Sequence, residues 1–255
     1  MRWLALPFLL LAFPTSAFAA ADIEAVWSFN GGQVAVQAQE DGSFSGTVIR
    51  PTRFAECVHP SGELMWAGVR LQPDGSYWGG HQFFRRETCE STGRGQAAYR
   101  VMLREGGERF LRVCFAPPET PDVQPTIAPD GSSANATSGC SDSDLVSELP
   151  SGTPKVQEIA KLPSNKRCRS RRAFTIRLKE PQGDALRSAK VFVNGKRAAV
   201  RKGERVTAKV DLRGLPRGRY TVRIAARTVL GRTIKGKRRY RTCAGKHGPS
   251  NRGPL

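Results

Sequence analysis

The stretch QVAVQAQEDGSFSGTVIR, residues 33–50, decides the fold of the first half of this chain. Its apolar residues Val34, Val36 and Ala38 alternate with other residues, so their side chains fall on one face of an extended strand. The pair Asp41-Gly42 is typical of a tight hairpin turn, and strand-forming composition resumes after it. The stretch therefore predicts two antiparallel strands joined by a short turn.

The same pattern repeats along the first half of the chain. Gly-containing turns at 30–32, 74–75 and 106–107 separate short segments that are rich in β-branched and aromatic residues, about seven in all. No segment keeps the roughly 3.6-residue period of an amphipathic helix. We predict an all-β fold in which residues 21–149 form an antiparallel meander that closes into a small barrel or a flattened sandwich.

The chain has six cysteines, which are Cys57, Cys89, Cys114, Cys140, Cys168 and Cys243. An even number in an exported chain indicates three disulfides, for which the sequence alone allows about 15 connectivities. The meander brings the loops 51–62 and 85–96 to the same end of the sheet, so we pair Cys57 with Cys89. The last strand leads Cys114 toward that end, where a bond to Cys140 would hold the Pro- and Ser-rich segment between them.

Residues 1–20 have the layout of a secretory signal peptide. Arg2 is the only charge before Asp22, and the apolar run from Trp3 to Phe13 is followed by small residues typical of a cleavage site. The run is shorter than the roughly 20 residues of a membrane-spanning helix, and an uncleaved anchor is the alternative. We therefore expect a protein that is secreted, or associated with the cell envelope, after cleavage of the signal peptide.

The charge is distributed unevenly between the two halves. The whole chain has a formal net charge of +19. Residues 21–150 carry 10 basic and 17 acidic side chains, whereas residues 151–255 carry 30 basic and 5 acidic ones. Such asymmetry indicates two domains and favours a polyanionic partner for the second.

Strand signals resume after residues 150–166, a Pro- and Ser-containing segment that we interpret as a linker. Apolar and basic residues then alternate, and Asn194-Gly195 marks a hairpin. We predict a β-sandwich over residues 167–243, closed by a Cys168–Cys243 disulfide and followed by a flexible tail at 244–255.

Several segments of the second domain resemble a known class of module. The flanking Cys168 and Cys243 and the segments FTIRL (174–178), KVFVNGK (190–196) and VDLRGLPRGRYTVRI (210–224) are similar to the Ig-like modules of secreted actinobacterial proteins. The resemblance implies an Ig-like sandwich and no particular activity, because such sandwiches host many functions. The first domain resembles a lipocalin-like β domain.

Basic residues in the second domain give the main functional hypothesis. Because they alternate with apolar residues, their side chains would stand on the outward faces of the strands. We predict that a polyanion binds to Arg177, Lys179, Lys209, Arg223, Arg227, Lys235, Lys237, Arg239 and Arg241. Phe174, Phe192 and Tyr240 are expected in the core, which leaves no exposed aromatic side chain for stacking on bases. A solvated basic surface without a partner is the alternative.

Aromatic residues in the first domain give a second hypothesis. If the barrel held a cavity, its lining would include Trp27, Trp66, Trp78 and His81, and ordinary core packing is the alternative. His59 is interpreted as a loop residue beside an oxidised Cys57. The sequence has no recognisable catalytic, metal-binding or nucleotide-binding motif, so we expect no catalytic residue, no metal and no cofactor.

We conclude that the chain is an exported, non-enzymatic binding protein whose basic module associates with an anionic polymer of the cell wall or the extracellular space. A carrier of a small apolar ligand, using the first domain, is the alternative. A secreted hydrolase with an unrecognised site is the third hypothesis. We expect no sequence-specific nucleic acid and no obligate protein partner, and a peripheral contact with a membrane surface stays open.

Overall fold

The computed structural model describes residues 22–166, 173–201, 207–211 and 218–243. The predicted signal peptide, the tail 244–255 and Cys168, the predicted partner of Cys243, lie outside these residues. The described strands of the first domain are β1 (Ala25–Phe29), β2 (Gly32–Ala38), β3 (Phe44–Arg50), β4 (Thr52–Phe54), β5 (Cys57–His59), β6 (Leu64–Leu71), β7 (Tyr77–Phe84), β8 (Ser91–Leu103), β9 (Arg109–Ala116), β10 (Thr126–Ile127), β11 (Ser133–Ala134) and β12 (Cys140–Glu148).

The second domain follows with one short helix and six described strands. These elements are α1 (Val156–Ile159), β13 (Ala173–Arg177), β14 (Leu186–Val193), β15 (Lys196–Arg201), β16 (Thr207–Asp211), β17 (Arg219–Thr228) and β18 (Thr233–Arg241). Among the described residues, no helix has the length and apolar character needed to cross a membrane.

Eight strands of the first domain form a closed antiparallel barrel. The order around the barrel is β1-β12-β9-β8-β7-β6-β3-β2, and β2 pairs with β1 to close the ring. The remaining strands pair as two small hairpins, β4 with β5 and β10 with β11, inside the longer connections. The predicted all-β fold is confirmed, and of the two closures that the sequence left open the chain adopts the barrel.

Strand β12, which lies between β9 and β1 in the barrel, was not among the predicted strands. Its sequence CSDSDLVSE lacks an apolar alternation, and of its residues only Ser143 is buried. Opposite charges favour its pairing with β9 instead. Asp142 accepts hydrogen bonds from Arg112 at 2.7 and 2.8 Å, and Glu148 forms an ion pair with Arg109.

The two disulfides of the barrel join the cysteine pairs that the sequence predicted. The Cys57–Cys89 bond ties β5 to the connection between β7 and β8. The Cys114–Cys140 bond joins residues that lie directly opposite each other on β9 and β12. Its predicted role was to hold the Pro- and Ser-rich segment between the two cysteines. In the structure it also fixes the register of β12 against β9.

Large aromatic side chains pack the middle of the barrel. Trp27, Trp66, Tyr77 and Tyr99 are each almost completely buried. Trp66 lies against Gly46 of the neighbouring strand, where a Cβ atom would come within 2.5 Å of the indole ring. Glycine at this position therefore makes the space that the indole occupies.

One hydrophobic core joins the two sheets of the second domain. The larger sheet has the order β15-β14-β17-β18, and the smaller one pairs β13 with β16. Ile176 of β13 belongs to the same buried cluster as Val191, Val222 and Ile234 of the larger sheet. The assignment of this domain to the Ig-like class stays a prediction.

The segment 150–166, which the sequence analysis interpreted as a linker, is part of the second domain in the structure. Val156 and Ile159 of α1 are buried in its core, and Ala160 forms a bridge with Leu178. The carbonyl oxygen of Pro163 accepts hydrogen bonds from Arg238 at 3.1 Å and from Tyr240 at 3.0 Å. The linker interpretation was therefore wrong, because a few apolar residues in this Pro-containing segment suffice to cover the open face of the sheet.

The outer wall of the barrel contacts the turn between β17 and β18. Val26, Ala35 and Ile49 point outward from the barrel yet are buried, since Val229 and Leu230 of that turn pack on them. Beside this cluster Nε of Arg232 donates to Asp184 at 2.8 Å, and its Nη1 donates to the Gly152 carbonyl at 2.8 Å. This contact explains why Val34, Ala35 and Val36 are all buried, although they point alternately to the two faces of β2.

Replacing Gly236 of β18 by Ala should destabilise the second domain, because the new Cβ would lie 2.2 Å from Cγ1 of Val156. We expect a loss of about 1–3 kcal/mol in the free energy of unfolding, as in other overpacked cores. Urea denaturation at equilibrium measures it. The double variant Gly236→Ala, Val156→Ala should recover part of the loss, and strictly additive destabilisation would contradict the contact.

Candidate ligand pocket and basic face

A pocket opens at the end of the barrel that carries the long connections. The β4–β5 hairpin borders it, and the Cys57–Cys89 disulfide holds that hairpin to the connection after β7. Its volume is about 240 Å³. It is lined by Phe29, Asn30, Phe54, His59, Met65, His81, Gln82, Phe83, Phe84, Phe115 and Ser138.

Ring contacts build the inner wall of the pocket around His81. The centroid of its imidazole lies 4.6 Å from that of Phe115, 4.9 Å from that of Phe83 and 5.9 Å from that of Phe29. Strand β7 points Tyr77, His81 and Phe83 inward because they have the same parity. The pocket wall is therefore mainly aromatic.

His81 is a neutral imidazole in a fixed orientation. Nε1 of Trp66 donates a hydrogen bond to Nδ1 of His81 at 3.1 Å, so the ring proton of the neutral form is on Nε2. Burial, and to a smaller extent charge repulsion from the neighbouring His59, lowers the pKa of His81 to about 3. The Trp66 hydrogen bond thus connects the packed middle of the barrel to the pocket.

His59 is the second imidazole of the pocket. It ends β5, is 4% exposed, and packs against Phe84 with 4.0 Å between ring centroids. Its Nδ1 lies 3.3 Å from Oε2 of Glu63, which favours the tautomer with the proton on Nδ1. Nε2 is then an acceptor, and this buried atom has no hydrogen-bond partner within the described part of the chain.

The structure differs from the predicted pocket in most of its residues. Only His81 of the four predicted residues lines the pocket. Trp27 and Trp66 are packed in the closed interior, and Trp78 has the opposite parity on β7 and faces outward. The number of aromatic residues correctly indicated that the pocket lies in the first domain. Side-chain parity in the sequence, however, does not distinguish the part of the barrel interior that is filled by side chains from the part that is open.

The interpretation of His59 as a plain loop residue was also wrong. Residues 52–59 fold as the β4–β5 hairpin, in which Cys57 and His59 are both buried on one face. The signal available in the sequence was the alternation Cys57-Val58-His59, which is too short to identify a strand. The disulfide at Cys57 supplies the constraint that brings His59 to the barrel mouth.

Six of the nine predicted polyanion-binding residues stand on one face of the larger sheet. Register pairs Arg223 with Lys237 and Ala225 with Lys235, and directly paired residues project from the same side of a sheet. The six residues, all exposed, are Arg223, Arg227, Lys235, Lys237, Arg239 and Arg241. We call this surface the basic face, and by register Lys190, Arg197 and Arg219 extend it.

The other three predicted residues do not belong to the basic face. Arg177 and Lys209 are on β13 and β16 of the smaller sheet, and Lys179 directly follows that sheet. Arg177 and Lys179 are exposed there. The alternation correctly placed these two cations outward, but it could not say which of two sheets each strand joins.

Phe192 lies on the basic face rather than in the core, contrary to the sequence analysis. It is only partly buried and pairs with Arg223, whose guanidinium carbon lies 4.6 Å from the centre of the ring. A cation held over an aromatic ring at this distance is stabilised by the charge distribution of the ring. The argument against exposed aromatic side chains therefore fails at this position, whereas Tyr240 is buried as expected.

No protein-family model matches the chain, and no curated protein matches it. Within the described residues no group of three His, Cys, Asp or Glu side chains is arranged to hold a metal ion. The functional interpretation therefore depends on the geometry of the pocket and the basic face.

His81 should make the protein less stable in acid. Its pKa is about 3 in the folded protein, whereas an unfolded chain binds this proton near about pH 6.5. The stability from the neutral buried ring is complete above about pH 6.5 and is lost as the pH falls toward 3, by about 1.4 kcal/mol per pH unit. Urea denaturation at several pH values measures this slope.

The variant His81→Gln serves as the matched control, because the amide keeps an acceptor for Trp66 and does not titrate. Its stability should depend on pH less steeply by about one proton. Asp41, Asp74 and Asp130, whose pKa values are lowered by hydrogen bonds from serines, titrate equally in both proteins. Identical slopes in the two proteins would contradict the buried neutral imidazole.

Proposed function

We propose that this protein is an exported, non-enzymatic binding protein whose basic face holds an anionic polymer of the cell envelope or the extracellular space. The observation that carries the proposal is the register of β17 and β18, which gathers six exposed cations on one face. The proposal includes an Ig-like second domain, as the resemblance implies, and cleavage of the signal peptide.

The spacing of the cations suits an extended polyanion. Lys235, Lys237, Arg239 and Arg241 are every second residue of one strand. At about 3.4 Å per residue they form a row roughly 20 Å long, and β17 adds a parallel row about 5 Å away. A linear polymer with regularly repeated negative charges can contact several of these side chains at once.

The cations of this face are available for such a partner. Arg232 and Asp184 form an ion pair that is buried at the domain contact, whereas within the described residues none of the six cations forms an ion pair with an acidic side chain. Each polymer charge that they neutralise releases counterions, and this favours binding at low salt.

A second candidate function is carriage of a small ligand by the barrel. The pocket of about 240 Å³ with its aromatic wall supports this function. It is independent of the basic face, because the pocket is formed by residues of the first domain alone.

Reversing charge on the basic face should weaken polymer binding more than reversing charge elsewhere. The variant Lys235→Glu, Lys237→Glu should reduce retention on isolated cell wall at about 50 mM salt by at least about tenfold. The matched variant Arg177→Glu, Lys179→Glu changes the net charge equally on the other sheet, and we expect a loss below about threefold. Co-sedimentation across a salt series measures both.

Equal losses in the two variants would mean that net charge, and not the basic face, determines retention. Retention of the wild-type protein should also fall steeply between about 50 and 200 mM salt. Retention that does not depend on salt would overturn the proposal.

A further inference from the structure

His59 in the wall of the pocket has a hydrogen-bond acceptor that lacks a donor within the described residues. Nε2 of His59 is buried, the whole residue is 4% exposed, and the atom has no partner among the described residues. Leaving a buried polar atom unpaired is unfavourable, since the atom loses its hydrogen bond to water and gains none. His59 lines the pocket, and in this conformation less than 1 Å² of its Nε2 is accessible, so a bound molecule supplies the missing donor once the neighbouring side chains shift to admit it.

The pocket also contains a hydrogen-bond donor. The Nδ1 atom of His81 is taken by Trp66, and this is the one hydrogen bond of His81 within the described chain. The proton on the opposite ring nitrogen, Nε2, therefore remains to be donated on the side of the ring away from Trp66. One imidazole of the pocket thus offers an acceptor and the other offers a donor.

The remainder of the lining selects for size and charge. The volume of about 240 Å³ exceeds the roughly 150 Å³ of an apolar protein cavity that binds benzene, so one ring with a small substituent fits. Five phenylalanines line it, which are Phe29, Phe54, Phe83, Phe84 and Phe115. No Lys, Arg, Asp or Glu is among the lining residues, and a charged ligand would lose its hydration without a counter-charge.

We propose that the pocket binds a neutral single-ring aromatic molecule that carries a hydroxyl group, a ligand of the phenol class. The hydroxyl group donates its hydrogen bond to Nε2 of His59 and accepts one from Nε2–H of His81, while the ring packs among the phenylalanines. This proposal rests on the second candidate function, carriage of a small ligand, and adds the chemical class of the ligand and the two residues that select it.

A series of three ring compounds tests the proposal on the wild-type protein. Phenol can donate and accept a hydrogen bond, anisole can only accept one, and toluene can do neither. We expect phenol to bind about tenfold more tightly than toluene, with anisole between the two, because the ether oxygen can accept from His81 but only the hydroxyl group satisfies the buried acceptor. Titration calorimetry of the full chain at about pH 7 measures the three affinities.

Two variants of His59 test the assigned acceptor. His59→Phe should lose most of the preference for phenol over toluene, because the acceptor is lost while the aromatic wall and the donor of His81 are kept. His59→Gln keeps a carbonyl acceptor and should retain part of the preference for phenol. Phe192→Leu on the basic face is the control, and its phenol affinity should equal that of the wild-type protein.

The outcomes separate this inference from the function on which it rests. Equal binding of phenol, anisole and toluene to the wild-type protein overturns the phenol-class assignment and leaves small-ligand carriage standing. An undiminished preference for phenol in a folded His59→Phe variant overturns the role of His59. The absence of binding by all three compounds at millimolar concentration overturns both the inference and the carrier function.

Discussion

Pairing of the acidic strand β12 with the arginine-bearing strand β9 is the constraint on which the rest of the first domain depends. Without β12, β9 and β1 would both be open sheet edges with unpaired backbone groups. Three carboxylates of β12, those of Asp142, Asp144 and Glu148, meet Arg112, Arg104 and Arg109. Together with the Cys114–Cys140 bond, these ion pairs fix the position of a strand whose apolar contribution to the barrel core is the partly buried Leu145.

Closure of the barrel divides its interior into a filled part and an open part. Trp27, Trp66, Tyr77 and Tyr99 fill the middle, and Gly46 allows Trp66 to lie close to β3. Beyond Trp66 the aromatic side chains contact one another around an opening. The hydrogen bond from Trp66 to His81 is at this boundary, so the same indole completes the core and orients an imidazole of the pocket.

The second domain places its charge and its core on opposite faces of one sheet. The cations of β17 and β18 face solvent, while the other face packs against the smaller sheet, α1 and the chain after α1. Arg238 has the parity of the core residues, and it donates to the carbonyl oxygens of Leu162 and Pro163. A domain whose cations repel one another therefore uses one of them to hold the segment that covers its core.

Alternation in the sequence determined much of this protein. The hairpin at 33–50, the strands that follow it, the two disulfides of the barrel and the outward direction of the cations of β18 all follow from short-range pattern and loop position. They can be predicted because side-chain parity and hairpin turns are local properties of the chain.

Tertiary structure alone decided the features that depend on contacts between distant segments. Charge pairing made a strand of 140–148, packing against β18 made 150–166 part of a core, and the Cys57–Cys89 bond buried His59 in the pocket. Sheet order placed six predicted cations on one face, brought Phe192 among them and left Arg177 elsewhere. Local pattern gives the direction of a side chain, but only the closed fold determines which other side chains share its space.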